Sequence, residues 1–310
     1  MLKGRKAQGY IIRMTTATLT YTPKSYKSEL KPIWCPGCGD FGVLSALYKA
    51  LSMCQFDPDN TVVVSGIGCS SRLPGFVSTY GFHGVHGRAL PIASGIKASR
   101  PELNVIVVGG DGDGYSIGGG HMPHAARRNL DMTYLIMNNN TYGLTKGQVS
   151  PTSMLPLASK NPKIDPKRWR TTPYGMVEDH LDPLALAIAA DISFVARGFS
   201  YKPNVLADIL QQAISHKGFS LIDAFSPCPT MNQDQTDEYY KSMTFDVPAD
   251  HDPTDKGKAF ALATHATGYP IGVIYKHDGK PSMQEEGAAI RGRFSADPTA
   301  TVEGLFKRYF

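Results

Sequence analysis

Four short stretches carry the side chains able to do chemistry, and three of them hold thiols. Cys35-Pro-Gly-Cys38 sets two cysteines three positions apart, each beside Pro or Gly, in the form of a pincer. Cys69 follows a β-branched run in Gly-Ile-Gly-Cys-Ser-Ser, and Cys228 stands in Ser-Pro-Cys-Pro. In a chain of 310 residues five cysteines are too few for a disulfide framework, and paired thiols in a reducing compartment point to metal or redox chemistry. Structural zinc sites usually close with two short-spaced pairs inside one small module. One pair joined by two distant singles suits an iron-sulfur cluster held from across a domain. The cysteine pattern by itself leaves iron-sulfur, zinc and unrelated thiols all open. Cys54 recurs with Val43, Leu44, Leu47 and Leu51 at helical spacing and reads as a small buried hydrophobe.

The fourth stretch is Gly109-Gly-Asp-Gly-Asp-Gly114, a Gly-rich loop after an apolar run. Such a loop lets backbone N–H groups approach phosphates. No Gly-Lys-Ser/Thr follows it, and Asp111 and Asp113 would set carboxylates directly against a pyrophosphate, so neither a Walker loop nor a dinucleotide fingerprint fits. Carboxylate beside phosphate calls for a cation, and Mg²⁺ held by one or two side-chain oxygens and phosphate oxygens answers. Asn138-Asn-Asn-Thr-Tyr-Gly143, at the end of the next apolar run, offers the second side-chain oxygen.

The elements that must position these loops are legible as an alternation. A helix spans the residues after Cys38; Thr61–Ser65, 104–110, 132–138, 191–198 and 219–225 read as strands; 121–129, 182–190 and 204–216 read as helices. Strands alternating with helices predict an α/β fold with a doubly wound, mainly parallel sheet, whose ligands gather at the carboxyl ends of the strands. Two regions break the rhythm. Ser150 to Tyr174 is rich in Pro, Lys and Ser and reads as a partner-contacting loop, and beyond Met231 the chain is polar apart from Tyr269–Lys276. The expected division is therefore an N-terminal extension (1–30), a cofactor-binding α/β domain (31–230) and an irregular C-terminal extension (231–310) that contacts a subunit or partner. The formal charge of +5 is scattered among 27 acidic residues, which gives no basic tract for nucleic acid, and no apolar run is long enough to span a membrane. The basic start has no apolar signal-peptide core, so a cytoplasmic protein is expected, with Met14 an alternative start.

Gly-Asp-Gly, nearly thirty residues, then Asn-Asn resembles the motif by which thiamine diphosphate enzymes hold Mg-diphosphate. Combined with four cysteines, the chain resembles the beta subunit of the 2-oxoacid:ferredoxin oxidoreductases from about Trp34 to Cys228. The stretches carrying the likeness include WCPGCGDFGVL, GIGCSSR, HGRALPIASGIKASRPEL, GDGDGYSIGGGH, RRNLDMTYLIMNNNTYGLTKGQ and SPCP. The resemblance implies a sheet of the thiamine diphosphate-binding type. It implies a [4Fe-4S] cluster on Cys35, Cys38, Cys69 and Cys228, and Mg²⁺ on Asp111, Asn139 and the Thr141 carbonyl. Ile67, Gly68, Cys69 and Ser70 should line the cofactor, with Gly112, Asp113, Gly143 and Leu144 flanking its diphosphate. His86 and Arg88 are candidates for the active-site wall. The reaction implied is coenzyme A-dependent oxidative decarboxylation of a 2-oxoacid to acyl-CoA and CO₂, electrons passing to ferredoxin, reversible as carboxylation. An alpha subunit must supply the activating carboxylate, most of the substrate pocket and the coenzyme A site, in an αβ or α₂β₂ assembly. Relatives often carry Thr-Gly-Gly-Gln where this chain has Thr145-Lys-Gly-Gln148. Lys146 could pair with a second substrate carboxylate and favour 2-oxoglutarate over pyruvate. The alternatives are a pyruvate-specific enzyme and a non-redox thiamine diphosphate enzyme with structural zinc.

Overall fold

Runs of Val, Ile and Leu with few polar interruptions become strands buried on both faces, as parallel sheets require. The computed structural model describes residues 21–153, 178–265, 267–293 and 302–309. Among them lie β1 (Thr61–Ser65), β2 (Tyr80–His83), β3 (Asn104–Gly110), β4 (Met132–Asn138), β5 (Phe194–Phe199), β6 (Phe219–Phe225), β7 (Thr244–Asp246) and β8 (Tyr269–Lys276). They form one sheet in the order β2-β1-β3-β4-β6-β5-β8-β7. All pairings are parallel except that of β8 with β5.

Helices cover both faces. Val63, Ile106, Leu135 and Ile222 point to a core shared with α1 (Asp40–Cys54) and α5 (Pro203–Ser215). Val64, Val107, Ile136 and Leu221 point the other way, to a core shared with α2 (Ala89–Ser99), α3 (His121–Arg128), α4 (Pro183–Ala189) and α7 (Lys256–Ala263). The helices α6 (Asp237–Met243), α8 (Met283–Arg293) and α9 (Val302–Tyr309) complete the described chain. Local chemistry sets the ends. Asp182 and Asp255 cap α4 and α7 by accepting from backbone N–H groups of their first turns. Asn129 ends α3 in the left-handed region at φ 46°, and its side-chain Oδ1 accepts from Ser193 Oγ and Phe219 N at 2.8 and 2.9 Å.

Register brings the loops together. Gly110 of β3 lies opposite Met137 of β4, and Asn138 opposite Phe225 of β6, so three carboxyl ends stand in line. On the α1 side a Cβ on Gly42 would fall 2.1 Å from the Ser200 carbonyl oxygen, which is how α1 packs down onto the β5–α5 turn.

Two features go beyond the sequence pattern. The residues between β1 and β3 hold β2 and α2, which the reading of alternating elements passed over. The region past Met231 is more ordered than its polarity suggests: β8 covers the edge of β5 and β7 extends the sheet, a device that removes an open strand edge. Residues 154–177 of the Pro- and Lys-rich stretch and residues 1–20 of the N-terminal extension lie outside the described residues.

Candidate active site

Six segments meet at the carboxyl ends of β1, β2, β3, β4 and β6: the Cys35–Cys38 turn before α1, and the loops after these five strands. After β3 the chain makes a turn of π-helix, Gly112–Ile117, before α3. Such wide turns place backbone and side chains where a regular helix cannot, and they recur at functional sites. A Cβ on Gly112 would lie 2.3 Å from Cε1 of Tyr142, so glycine is required for the β3 and β4 loops to touch. Tyr142 Oη in turn donates to the Gly112 carbonyl at 3.2 Å.

A cleft of about 60 Å³ lies between these loops, lined by Ile67, Gly68, Cys69, Ser70, His86, Asp111, Gly112, Asp113, Asn139, Thr141, Gly143 and Leu144. Gly110, Tyr142 and Thr145 join them. Besides Cys35, Cys38 and Cys228, two residues named from sequence stand outside this lining. Arg88 donates from Nη1 to the carbonyls of Gly87 and Ile117 at 3.2 and 3.4 Å, tying loop to loop. Lys146 is exposed, one residue beyond Thr145, in the left-handed region at φ 78°.

The carboxylates have distinct surroundings. Asp111 is buried, and burial pushes its carboxyl up to about 6 despite hydrogen bonds from Ser150 and Thr152. Thr152 Oγ1 lies 2.8 Å from Asp111 Oδ2 and 3.2 Å from Asn138 Oδ1. Asn139 Oδ1 accepts from Thr141 N at 3.1 Å, which folds the loop back on itself and leaves that oxygen a second lone pair. Asn140, at φ 53°, donates to Gln235 Oε1 and Tyr240 Oη at 3.0 and 2.7 Å and locks the loop from beneath. Thr152, Ser150 and Gln235 carry no motif, and Asn140 lies in one without being assigned a role there, so sequence reasoning passed them over.

Asp113 is a strut. Its Oδ1 accepts from Gly87 N at 2.7 Å and Ile67 N at 3.1 Å, joining the loops after β1 and β2 to the β3 loop. Burial raises its carboxyl, and those two N–H groups and His86 work against the rise. Asp113 Oδ2 is buried and has no hydrogen-bond partner among the described residues. His86 Nδ1 stands 3.9 Å from Asp113 Oδ1, and its ring stacks on Tyr142 with centroids 6.1 Å apart.

The thiols gather beside this cleft. A Cβ placed on Gly143 would lie 3.7 Å from the Sγ atoms of both Cys69 and Cys228. Cys38 N donates to Cys35 O at 3.1 Å, closing the pincer turn, and Gly39 N donates to Pro227 O at 3.0 Å, pinning it beside Cys228. Trp34 Nε1 donates to the Cys69 carbonyl at 2.7 Å. Burial raises the thiols of Cys38, Cys69 and Cys228; for Cys38 and Cys69 the buried Asp40 carboxylate and the neighbouring cysteines add to it, taking Cys69 to about 11. Among the described residues no three His, Cys, Asp or Glu side chains close around a single-ion position. Cys54 is apart, its Sγ 3.7 Å from Ser215 Oγ.

A doubly wound sheet with Gly-Asp-Gly and Asn-Asn at adjacent strand ends defines a thiamine diphosphate-binding domain. The family model "Thiamine pyrophosphate enzyme, C-terminal TPP binding domain" matches residues 66–224, and the model of the C-terminal part of the pyruvate ferredoxin oxidoreductase beta subunit matches 228–291. Subunit beta of 2-oxoacid:ferredoxin oxidoreductase 1 from Aeropyrum pernix is 42% identical over 293 residues, covering 91% of this chain and 89% of that one. The 2-oxoglutarate synthase subunit KorB of Methanothermobacter thermautotrophicus is 44% identical over 204 residues, 66% of this chain and 68% of that one. Among solved structures, the 2-oxoglutarate:ferredoxin oxidoreductase from Magnetococcus marinus, with 2-oxoglutarate, coenzyme A and succinyl-CoA bound, superposes with a TM-score of 0.86 at 41% identity. That match covers 93% of this chain and 96% of that one. The chain belongs to the 2-oxoacid:ferredoxin oxidoreductase family, as a beta subunit. Among the described residues no helix is long and apolar enough to cross a membrane.

Proposed function

We propose that this chain is the cofactor-carrying half of a cytoplasmic 2-oxoglutarate:ferredoxin oxidoreductase, working with an alpha subunit and coenzyme A and passing electrons to ferredoxin. The observation that carries the reading is the meeting of the diphosphate loops and the thiols at Gly143, with Cys69 in both sets. Thiamine diphosphate supplies carbanion chemistry at C2 of a 2-oxoacid, and a [4Fe-4S] cluster beside it accepts electrons one at a time.

The protein's own contribution is binding, orientation and electrostatics. Asp111, Asn139 and the Thr141 carbonyl form the oxygen set for Mg²⁺, and a metal there would draw the Asp111 carboxyl back to its ionised form. The lone pair left on Asn139 Oδ1 and the carboxylate of Asp111 suit that donor set. Cys35, Cys38, Cys69 and Cys228 hold the cluster, one close pair joined by two distant singles as suits thiolates drawn from across a domain. Asp113 keeps the cleft open by holding Ile67 and Gly87. His86 forms part of the wall, and Arg88 positions it through the loop backbone. Lys146, at the cleft's rim, selects the dicarboxylic substrate by charge.

The test is co-expression with the alpha subunit and anaerobic purification. The expected preparation holds about four irons, with acid-labile sulfide, and one thiamine diphosphate per heterodimer. Its visible absorbance bleaches on 2-oxoglutarate with coenzyme A and much less on pyruvate. Bound zinc in place of iron would overturn the redox assignment, and equal bleaching by the two acids would overturn the substrate.

A further inference from the structure

Of the four thiols assigned to the cluster, Cys69 alone also lines the cofactor cleft. Its place therefore decides how closely the two groups communicate. The loop that carries it passes through Gly68 at φ 136°, a backbone angle open to glycine, so no side chain at that position steadies the turn. Its direction is fixed from outside. On the cofactor side Ile67 N is pinned to Asp113 Oδ1 at 3.1 Å. On the thiol side the pin is Trp34, whose Nε1 donates to the Cys69 carbonyl at 2.7 Å. Arg72 N takes the other lone pair of that oxygen at 3.3 Å, the first bond of the tight turn Ser70–Phe76.

The indole is itself wedged. Trp34 is 8% exposed, and the rings of Phe41 and Phe76 meet it edge-on, with centroids 5.4 and 5.0 Å away. Trp34 directly precedes Cys35, Phe41 lies in the first turn of α1 just after Cys38, and Phe76 closes the turn that Cys69 opens. Segments carrying three of the four thiols thus converge on one ring. A phenyl ring would serve that packing; the N–H is what tryptophan adds, and it is spent on the backbone of the shared cysteine.

We propose that Trp34 is a positioning residue for electron transfer: its N–H holds the Cys69 carbonyl so that the Cys69 sulfur stays between the cofactor cleft and the other thiols. The inference rests on the function proposed above and deepens it by naming the step this residue governs. In that step one electron leaves the thiamine-bound substrate, which is oxidised, and enters the cluster, which is reduced; no bond to Trp34 forms or breaks. Assembly needs four sulfurs within reach, whereas the transfer depends on where one of them sits. Removing a partner that orients a metal ligand costs about ten- to a hundredfold in affinity or activity, and small displacements cost comparable factors in rate.

The test uses the complex with the alpha subunit, purified without oxygen, and Trp34→Phe, which keeps an aromatic ring and loses the N–H. In stopped flow, bleaching of the cluster by saturating 2-oxoglutarate and coenzyme A should slow about tenfold or more. Bleaching by dithionite, which reaches the cluster from solvent past the exposed Cys35, should keep its rate. Iron, sulfide and thiamine diphosphate per heterodimer should be unchanged. The electron paramagnetic resonance spectrum of the dithionite-reduced cluster should change its line shape, which a general loss of stability would not produce. Phe41→Leu, at a ring 40% exposed, removes one brace and should slow the substrate-driven phase by a smaller factor; it decides the matter if Trp34→Phe does not assemble. Substrate-driven bleaching at the parent rate, equal slowing with both reductants, or an unchanged spectrum would each overturn the proposal. A parent complex without a cluster would overturn the functional reading, and this inference with it.

Discussion

Thr152→Val keeps the shape of a fully buried side chain and removes one hydroxyl. That hydroxyl lies 2.8 Å from Asp111 Oδ2 and 3.2 Å from Asn138 Oδ1, and its single proton goes to the nearer, charged oxygen. A hydrogen bond to a charged group contributes about 1.5–3 kcal/mol. Removing it from the ionised form of Asp111 weakens whatever requires that form, here metal and diphosphate, by about ten- to a hundredfold. The pH dependence has a fixed sign. Burial already pushes the Asp111 carboxyl up to about 6, and losing a donor moves it further up. A protonated carboxyl releases the metal, so the deficit of the variant should grow as pH falls from about 8 to about 6 and shrink above that range. Thr152→Ser should behave as the parent. The assay is calorimetric titration of the apo complex with thiamine diphosphate at saturating and limiting Mg²⁺, at three pH values. Equal affinity in Thr152→Val and Thr152→Ser, or a deficit indifferent to pH, would refute the reasoning.

Gly143→Ala should leave folding intact, because its Cβ would meet the two thiol sulfurs at 3.7 Å, an ordinary contact, while crowding anything held between them; iron content should fall with melting temperature unchanged. Lys146→Met should raise KM for 2-oxoglutarate more than for pyruvate, and equal losses would sink the role given to that ammonium. Lys146→Gly relieves the left-handed backbone at φ 78° and should add about 1 kcal/mol of stability while losing the same selectivity. At Asp191 burial acts to raise the carboxyl, but Lys280 and Lys256 outweigh it and hold it at about 2. Because its folded value is depressed, its stabilisation is present above the ordinary carboxylate range and is lost as pH falls through about 2. Asp191→Asn should cost no more than about 1 kcal/mol at neutral pH, since the pair is half exposed, and the difference in melting temperature should vanish toward pH 2.

What the sequence determined by itself is the set of parts and their order. Apolar runs leading into Gly or Asn mark Thr61–Ser65, Asn104–Gly110 and Met132–Asn138 as buried strands with functional ends, because burial on both faces leaves no polar alternation and loops need the residues that tolerate tight backbone. Asp111, Asn139 and the four cysteines stood out as candidates because metal and phosphate chemistry admits few residue types, while the ligand set itself rested on the family resemblance. Tertiary structure alone decided what holds those parts in place. Thr152, Ser150, Asn140 and Gln235 are ordinary polar residues until the β4 loop folds onto Asp111 and buries them. Arg88 lay close to the site in sequence but spends its guanidinium on loop carbonyls, and Lys146 stands just past the cleft's rim. The strand at Tyr269–Lys276 escaped because its partner β5 is some eighty residues away and its ends are polar. Arg197 and Asp223 show the limit most plainly: each looks like an isolated charge within an apolar run, and only the parallel register of β5 on β6 sets them side by side.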